Sequence, residues 1–352
     1  MYVKNLVALS AAVASTAAAP YSIPTTDGFP NPSPAQLALI EKIAGGTLPN
    51  GPLPTSLKPA GITTLQFLAL NEEFEVAYFA DLLYNVTHHV AGYKAKDIAP
   101  LDRGYVISSL EAVIEQEKLH AIGINGILVS GGQKPIEPCK YQFPVQDFLS
   151  AITLAQTFAD VVLGTLPVAQ AGFAADGGDE SGIVPLLGSV IGQEGEQNGF
   201  YRFVQKKKPS AAPFLTRGAA SFAFTAIQSF IVPDTCPTPL KDINLQTFGA
   251  LSVLTAPEPH NMVLEFEAAG PVDCKADSVV YLSGQNVPVT VPIKSEPVNK
   301  GGKYVFSAEF PFADGFADGL TIAAVVKGTG NFTDNDAVAA ATLFGPGLIE
   351  VL

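Results

Sequence analysis

The chain has 352 residues, of which 47% are hydrophobic and only 15% are charged. This composition can fill sizeable apolar cores and excludes extensive disorder. Thirty-three acidic residues against twenty basic ones give a formal net charge of −13, which opposes attraction to nucleic-acid phosphates and anionic membranes. The sequence contains neither a Gly-x-Ser-x-Gly nucleophile elbow nor a Walker-type phosphate loop, so hydrolase and nucleotide-dependent functions have no support.

The N-terminal residues have the layout of a secretory signal peptide. Lys4 precedes the apolar stretch Leu6–Val13, and small residues follow up to Ala19, which predicts a signal peptide over residues 1–18, cleaved after Ala18. The apolar stretch is too short to anchor the chain in a bilayer, and we expect no later transmembrane segment. The mature protein is therefore expected to be secreted, either extracellular or associated with the cell wall.

An exported chain meets an oxidising compartment, so its three cysteines are candidates for disulfide formation. We predict a bond between Cys139 and Cys236, because both lie in predicted loops flanking the helical region, whereas Cys274 lies among predicted strands. The sequons at Asn85 and Asn331 are candidate glycosylation sites on the same route.

Residues 19–60 are crowded with Pro, Gly, Ser and Thr and predict an extended leader, interrupted by a short helix at Pro34–Ala44. Residues 61–240 carry helical apolar spacing. Pro167 is expected to stop or kink the third of the long helices. The connection of roughly fifteen residues between the second and third long helices favours one long crossover. The predicted helices are Thr64–Val86, Leu101–Val129, Val145–Leu166 and Ile183–Val204, with a weaker fifth over Ala212–Ile231.

Residues 241–352 change to short β-prone runs separated by Gly, Pro, Asn and Asp, which predict a small all-β, sandwich-like domain. The fold class is therefore α+β, a four-helix bundle followed by this domain. The runs are Met262–Ala268, Ser278–Leu282, Val287–Ile293, Tyr304–Phe310 and Leu320–Lys327.

Charged residues interrupt the apolar stripes of the predicted helices. Glu117 and His120 lie on the stripe of the second helix as a Glu-x-x-His step, which places a carboxylate and an imidazole on one face, at a spacing suited to one metal ion. Glu73 shares a row of small residues in the first helix, and the stripe of the fourth passes through Glu194 and Gln197. Buried polar groups need a partner or an ion, so these residues predict a site in the core.

The chain resembles the fungal stress-response and late sexual development proteins, which carry a ferritin-like domain. The resemblance rests on the run Phe67–Phe79, which contains Leu-Asn-x-Glu, on the Glu-x-x-His step of the next helix, on the segment Cys139–Pro144 and on the β-rich tail. It covers roughly residues 60 to 240 and implies a ferritin-like helical bundle. It implies a role in stress response and sexual development, and no established catalytic activity.

The pattern departs from a complete di-iron bundle, which takes a Glu from two helices and Glu-x-x-His from the other two. Glu73, Glu117, His120 and Glu194 fill four of six ligand positions. The third helix offers Ala155 or Gln156 in place of a carboxylate, and Gln197 stands where the second His belongs. Gln156 and Gln197 are expected to complete the shell. A metal-free network of hydrogen bonds among these groups is the alternative.

Three functions remain open. The first is a non-catalytic secreted or wall-associated protein whose β domain binds a cell-wall or extracellular ligand. The second is a metalloprotein that binds iron or manganese, both of which suit carboxylate and imidazole ligands, as a metal-dependent oxidoreductase with oxidase or peroxide-handling activity. The third is metal storage, which we rank last. Metal analysis of the secreted protein separates the first from the others.

Overall fold

The computed structural model describes residues 20–313 and 318–351. The predicted signal peptide lies outside these residues. The described chain is α+β, with eight α-helices and two four-stranded antiparallel sheets. The helices are α1 (Pro34–Ala44), α2 (Pro59–Thr87), α3 (Ala95–Ile98), α4 (Arg103–Ser130), α5 (Phe148–Asp176), α6 (Ile183–Val204), α7 (Ala220–Gln228) and α8 (Asn335–Ala341).

The long helices α2, α4, α5 and α6 coincide with the four predicted ones, with shifted ends. Their starts follow local capping chemistry. The Asp102 carboxylate accepts a hydrogen bond from the amide of Tyr105 at 2.8 Å and caps α4. Asp147 caps α5 by accepting from the amide of Ser150 at 2.7 Å. Pro59 opens α2 at a position where a missing amide hydrogen costs nothing.

Two helix boundaries are corrected. The predicted third helix ended at Leu166, but α5 runs through Pro167 to Asp176. The proline removes one backbone hydrogen bond, and burial of Phe173 beyond it keeps the helix packed. The predicted fifth helix is reduced to α7, since its first residues, which include Pro213, form a loop.

The connection between α4 and α5 runs the length of the helices. At one end, Arg103 at the start of α4 donates hydrogen bonds to the last carbonyls of α2. At the other end, Gly131 after α4 lies against Leu57, which precedes α2. The next helix begins again at the first end, where the amide of Phe148 donates to the carbonyl of Gly92 at 3.0 Å. The chain therefore contains one long crossover.

The predicted disulfide is confirmed. Cys139 in the crossover is bonded to Cys236, which follows α7, and Cys274 is free. Beside the bond, the backbone of Tyr141 pairs with Tyr21 of the leader and with Ile231. Three distant segments of the chain are joined at this point.

The strands form one sheet in the order β1-β2-β6-β5 and a second in the order β4-β3-β7-β8. The predicted β runs match β2, β3, β4, β6 and β7 within a few residues, and three further strands were not predicted. The strands are β1 (Leu251–Val253), β2 (Met262–Ala268), β3 (Asp277–Ser283), β4 (Val289–Pro292), β5 (Val298–Lys300), β6 (Lys303–Phe310), β7 (Gly319–Lys327) and β8 (Thr342–Val351).

The second sheet is a middle layer with both faces covered. Alternate residues of a strand point to opposite faces. Val279 and Tyr281 of β3 pack in one cluster with Phe266 of the first sheet. Val280 and Leu282 pack in another cluster with the helices. All seven residues of β3 are buried for this reason, and the helical and β parts of the chain share a core.

In the described part of the chain, α5 alone has the length and apolar character of a membrane-spanning helix. Its most apolar stretch is 83% buried within the protein. This burial is typical of the core helix of a globular protein.

The two sequons lie in different surroundings. Asn331 is exposed in the loop after β7. Asn85 lies within α2, half-buried, and its amide nitrogen donates to Asp81 at 3.2 Å. Of the two candidate glycosylation sites, Asn331 is the more accessible.

Candidate metal centre

The candidate centre begins with α2, which is buried on nearly every side over its middle turns. Glu72, Glu73 and Glu75 are all at most 3% exposed. The apolar residues around them bury the whole helix, so three carboxyl groups enter the core together. Buried carboxyl groups are rare unless a partner or an ion compensates the lost hydration.

Four side chains from three helices converge beside α2's inner face. They are Glu72 from α2, Glu117 and His120 from α4, and Glu194 from α6, and each offers one ligand atom within 4.8 Å of all the others. Each of the three glutamates is at most 3% exposed. Carboxylate oxygens and an imidazole nitrogen at this separation form a donor set for one cation.

His120 lies at the centre of the group. Its Nδ1 atom is 2.8 Å from Oε2 of Glu117, 3.4 Å from Oε2 of Glu72 and 3.9 Å from Oε1 of Glu194. Only the contact with Glu117 is a hydrogen bond. The i,i+3 spacing of Glu117 and His120 on α4 brings these two side chains together, as the sequence predicts.

Gln197 and Tyr201 of α6 support Glu117 from behind. The amide nitrogen of Gln197 donates to Oε1 of Glu117 at 2.7 Å, and the hydroxyl of Tyr201 donates to the amide oxygen of Gln197 at 3.2 Å. Tyr201 in turn stacks on Phe79 of α2. Gln197, expected to complete the shell, therefore lies beside the centre, where it orients Glu117.

Two carboxylate oxygens of the centre accept no hydrogen bond. They are Oε2 of Glu72 and Oε1 of Glu194, and both are buried. More than nine-tenths of buried polar groups are satisfied in native proteins. Two such atoms in one group indicate a place where a cation would complete the bonding.

Burial dominates the proton affinities of the centre. It raises the pKa of Glu72 to about 7, although His120 opposes the shift. Burial raises the pKa of Glu194 well above its ordinary value, and the neighbouring Glu72 and Glu117 add to the effect. Burial alone would lower the pKa of His120, but the adjacent Glu117 and Glu72 outweigh it and raise that pKa well above the ordinary value. Without a cation, Glu72, Glu194 and His120 therefore all hold a proton more tightly than they would in water.

The choice of Glu73 is corrected to Glu72. Successive helical residues point about 100° apart, so only one of the pair can face the centre. Neither carboxylate oxygen of Glu73 accepts a hydrogen bond. Burial raises the pKa of Glu73 well above the ordinary value, and Glu72 and Glu137 add to the shift. Glu137 and Tyr141, whose own pKa is raised by burial and then by Glu73, are not members of the centre.

Gln156 is also corrected. Its side chain does not reach the centre but joins a second polar group between α5, α6 and β8. It donates to Asp160 at 3.1 Å and to Glu350 at 3.3 Å, and it accepts from Lys207 at 2.8 Å. The sequence could not reveal this partner set, since Glu350 follows Gln156 by 194 residues.

Sequence reasoning missed Glu75. This carboxyl group accepts a hydrogen bond from Asn71 at 2.9 Å. Its pKa lies well above the ordinary value because of burial and the nearby Glu117, Glu194 and Glu72. The spacing of Glu72 and Glu75, three residues apart and on one helix face, was the available signal.

Comparison with known proteins finds no protein-family model and no curated protein that matches this chain.

Proposed function

We propose that the chain is a secreted or cell-wall-associated ferritin-like protein that binds one iron or manganese ion at Glu72, Glu117, His120 and Glu194. One observation carries the proposal: the four ligand atoms, drawn from three helices, lie within 4.8 Å of one another in the core. Ligand bonds of roughly 2.0–2.2 Å place opposite ligand atoms about 4 Å apart. A small adjustment of side chains closes the group around an ion.

The donor set supports iron or manganese over softer ions. Three carboxylates and one imidazole suit divalent manganese and iron, whereas copper(I) and structural zinc favour thiolates. The unsatisfied oxygens of Glu72 and Glu194 gain a partner when a cation binds. When bound, such an ion supplies one-electron redox chemistry for oxygen or peroxide.

A single ion fits better than a pair. A two-ion bundle draws ligands from all four helices, and here the residues of the centre come from α2, α4 and α6. On α5, Gln156 points into another polar group. Glu75 is a further carboxyl group near the centre, but Asn71 already donates to it.

The alternative is a metal-free network of hydrogen bonds. A network of that kind is stable when every member is satisfied. The two unsatisfied oxygens of Glu72 and Glu194 argue against it.

The proposed extracellular location and biological role rest on observations other than the metal centre. The disulfide between Cys139 and Cys236 is compatible with an oxidising, extracellular compartment. The N-terminal residues have the pattern of a signal peptide. A role in stress response and sexual development is the setting that the family resemblance implies.

Two adjacent residues offer a matched test of the site. Glu72→Gln and Glu73→Gln each remove one buried carboxyl group from the same turn of α2. We expect Glu72→Gln to lose most of the bound metal, because it removes a ligand, and Glu73→Gln to retain the wild-type content. The measurement is the metal content of protein purified from a secretion host and loaded with Mn²⁺ or with Fe²⁺ under anaerobic conditions.

The result separates the proposal from its alternatives. Wild-type protein that takes up no metal after loading would reject a metal centre. Equal loss in the two variants would show that the effect is structural, since Glu73 faces away from the group. Circular dichroism of both variants verifies that the helices are intact.

The affinity for Mn²⁺ is expected to rise steeply with pH. Burial raises the pKa of Glu72 to about 7, and the ion must displace this proton to bind. Between about pH 5 and pH 7 the affinity should increase at least tenfold per unit, one factor of ten for each displaced proton. The free energy of unfolding of the metal-free protein should instead decrease as the pH rises, because the stability that comes from a raised pKa is lost as the pH increases through that pKa. Titration calorimetry in two buffers of different ionisation enthalpy counts the protons, and a pH-independent affinity would contradict the prediction.

A further inference from the structure

A cavity lies at the junction of the helices and the middle sheet, against a face of α6 next to the one that carries Glu194. Its volume is about 140 Å³, and α5, α6, the loop of residues 209–216 and the start of β7 line it. Water in the liquid occupies about 30 Å³ per molecule, so the cavity has room for a small polyol or for part of one sugar residue. No residue of the candidate metal centre lines it.

Three buried polar side chains face this cavity. Asp160, Asn198 and Arg202 line it, and each is at most 8% exposed. The amide nitrogen of Asn198 donates to Asp160 at 2.8 Å, but the amide oxygen of Asn198 is buried and accepts no hydrogen bond. An unsatisfied acceptor in a buried wall indicates a ligand that carries a hydrogen-bond donor.

The wall around these residues is held in place. Asp160 also accepts from Gln156 at 3.1 Å. Arg202 donates through Nε to the carbonyl of Lys208 at 2.7 Å. Across the cavity, the Thr216 carbonyl approaches α5 so closely that a side chain on Gly164 would collide with it, at 1.9 Å. The polar groups are therefore pre-positioned, as in a ligand site that needs little rearrangement.

The charges of the wall exclude two ligand classes. An anion would suit the Arg202 guanidinium but would meet the carboxyl groups of Asp160 and Asp318, which both line the cavity. It would also meet the amide oxygen of Asn198. A cation would suit those oxygens but would meet Arg202. A hydroxyl group both donates and accepts, so neighbouring hydroxyls can bond to an amide oxygen and to a guanidinium at once.

The rim adds an apolar contact. Phe214 lines the cavity and is 67% exposed, so its ring offers apolar contact area to a ligand. Aromatic side chains contribute large apolar contact area in binding sites.

From these observations we propose that this cavity, lined by Asp160, Asn198, Arg202 and Phe214, binds a neutral polyhydroxylated molecule through neighbouring hydroxyl groups. The source is either a free polyol or a sugar residue of a polysaccharide, which share this chemistry. The site does not depend on the metal centre and can be tested apart from it.

Saturation-transfer NMR on the full secreted protein tests the proposal. The probes are glycerol, D-mannitol, methyl β-D-glucopyranoside and methyl α-D-mannopyranoside at millimolar concentrations, with methylphosphonate and ethylammonium as charged controls. We expect transfer to at least one hydroxylated probe and to neither charged control. Transfer to the glycosides alone identifies a sugar residue as the ligand, and transfer to the linear polyols alone identifies a free polyol.

Variants of the wall decide whether the binding is at this cavity. Asn198→Leu replaces the side chain by one of similar size and removes both the free acceptor and the hydrogen bond to Asp160, so binding should weaken at least tenfold. Phe214→Ala should weaken it about threefold, and Phe203→Ala, which replaces another exposed phenylalanine outside the cavity (62% exposed), should have no effect. If Asn198→Leu does not fold, the comparison of binding by Phe214→Ala with binding by Phe203→Ala decides whether the ligand binds at this cavity.

Three results would overturn the proposal. They are no transfer to any hydroxylated probe, transfer to a charged control of the same strength, or unchanged binding in the folded cavity variants. Metal loading of the wild-type protein should leave the signal unchanged, so failure here and failure of the metal proposal are distinguishable.

Discussion

Replacing His120 with alanine should abolish the thermal stabilisation that Mn²⁺ gives the wild-type protein. His120 is the imidazole of the proposed metal site, and its Nδ1 atom lies within 4 Å of all three carboxylates. An ion that binds only the folded state at a hundred times its Kd stabilises it by about 2.7 kcal/mol. The measurement is the Tm by calorimetry with Mn²⁺ and with a chelator, for wild type and for His120→Ala.

The variant should also be less stable in the absence of metal. Removal of the imidazole leaves Glu117 without its 2.8 Å hydrogen bond, which costs roughly 1–3 kcal/mol for a buried group. His88→Ala is the control, because His88 is exposed at the end of α2. A wild-type Tm that does not change between Mn²⁺ and chelator, combined with a destabilised His120→Ala, would favour the metal-free network.

Removing the disulfide should destabilise the fold by about 4–5 kcal/mol. Cys139 and Cys236 are 97 residues apart in sequence, and in the chain-entropy model a cross-link over about a hundred residues stabilises by roughly 4.7 kcal/mol. The double substitution Cys139→Ser with Cys236→Ser opens this loop. Urea denaturation gives the difference in the free energy of unfolding.

Cys274→Ser serves as the control for that measurement, since this cysteine is free and only partly buried. It should change the free energy of unfolding by less than about 0.5 kcal/mol, as surface substitutions usually do. A loss below about 1 kcal/mol in the double variant would contradict the loop-closure argument. Peptide mapping without reduction that joins Cys274 to either partner would contradict the pairing.

Helix positions were predictable because apolar spacing reports them directly, but the inward face of α2 was not. Its middle turns are buried on nearly all sides, so the apolar stripe that separates one face from another is missing there. The row of small residues that favoured Glu73 does not replace such a stripe, and only packing against α4 and α6 distinguishes Glu72 from Glu73. On α4 the stripe is distinct, and Glu117 and His120, which the stripe singled out, both lie in the cluster.

The three strands that were not predicted were missed for different reasons. β1 and β5 have three residues each, too few for a period to appear. β8 is ten residues long, but Gly345, Pro346 and Gly347 interrupt its pattern and resemble a turn. Its pairing with β7, across the irregular register near Ala323 and Val325, is a long-range contact that local sequence does not report.

The middle sheet determines when the helices can finish folding during synthesis. Apolar residues on α7, such as Phe222 and Ile227, pack in one cluster with Ile322 of β7 and Leu348 of β8. Those strands leave the ribosome more than ninety residues after α7 ends, which at 5–20 residues per second is a delay of roughly 5–20 s. During that interval the helices present an uncovered apolar face.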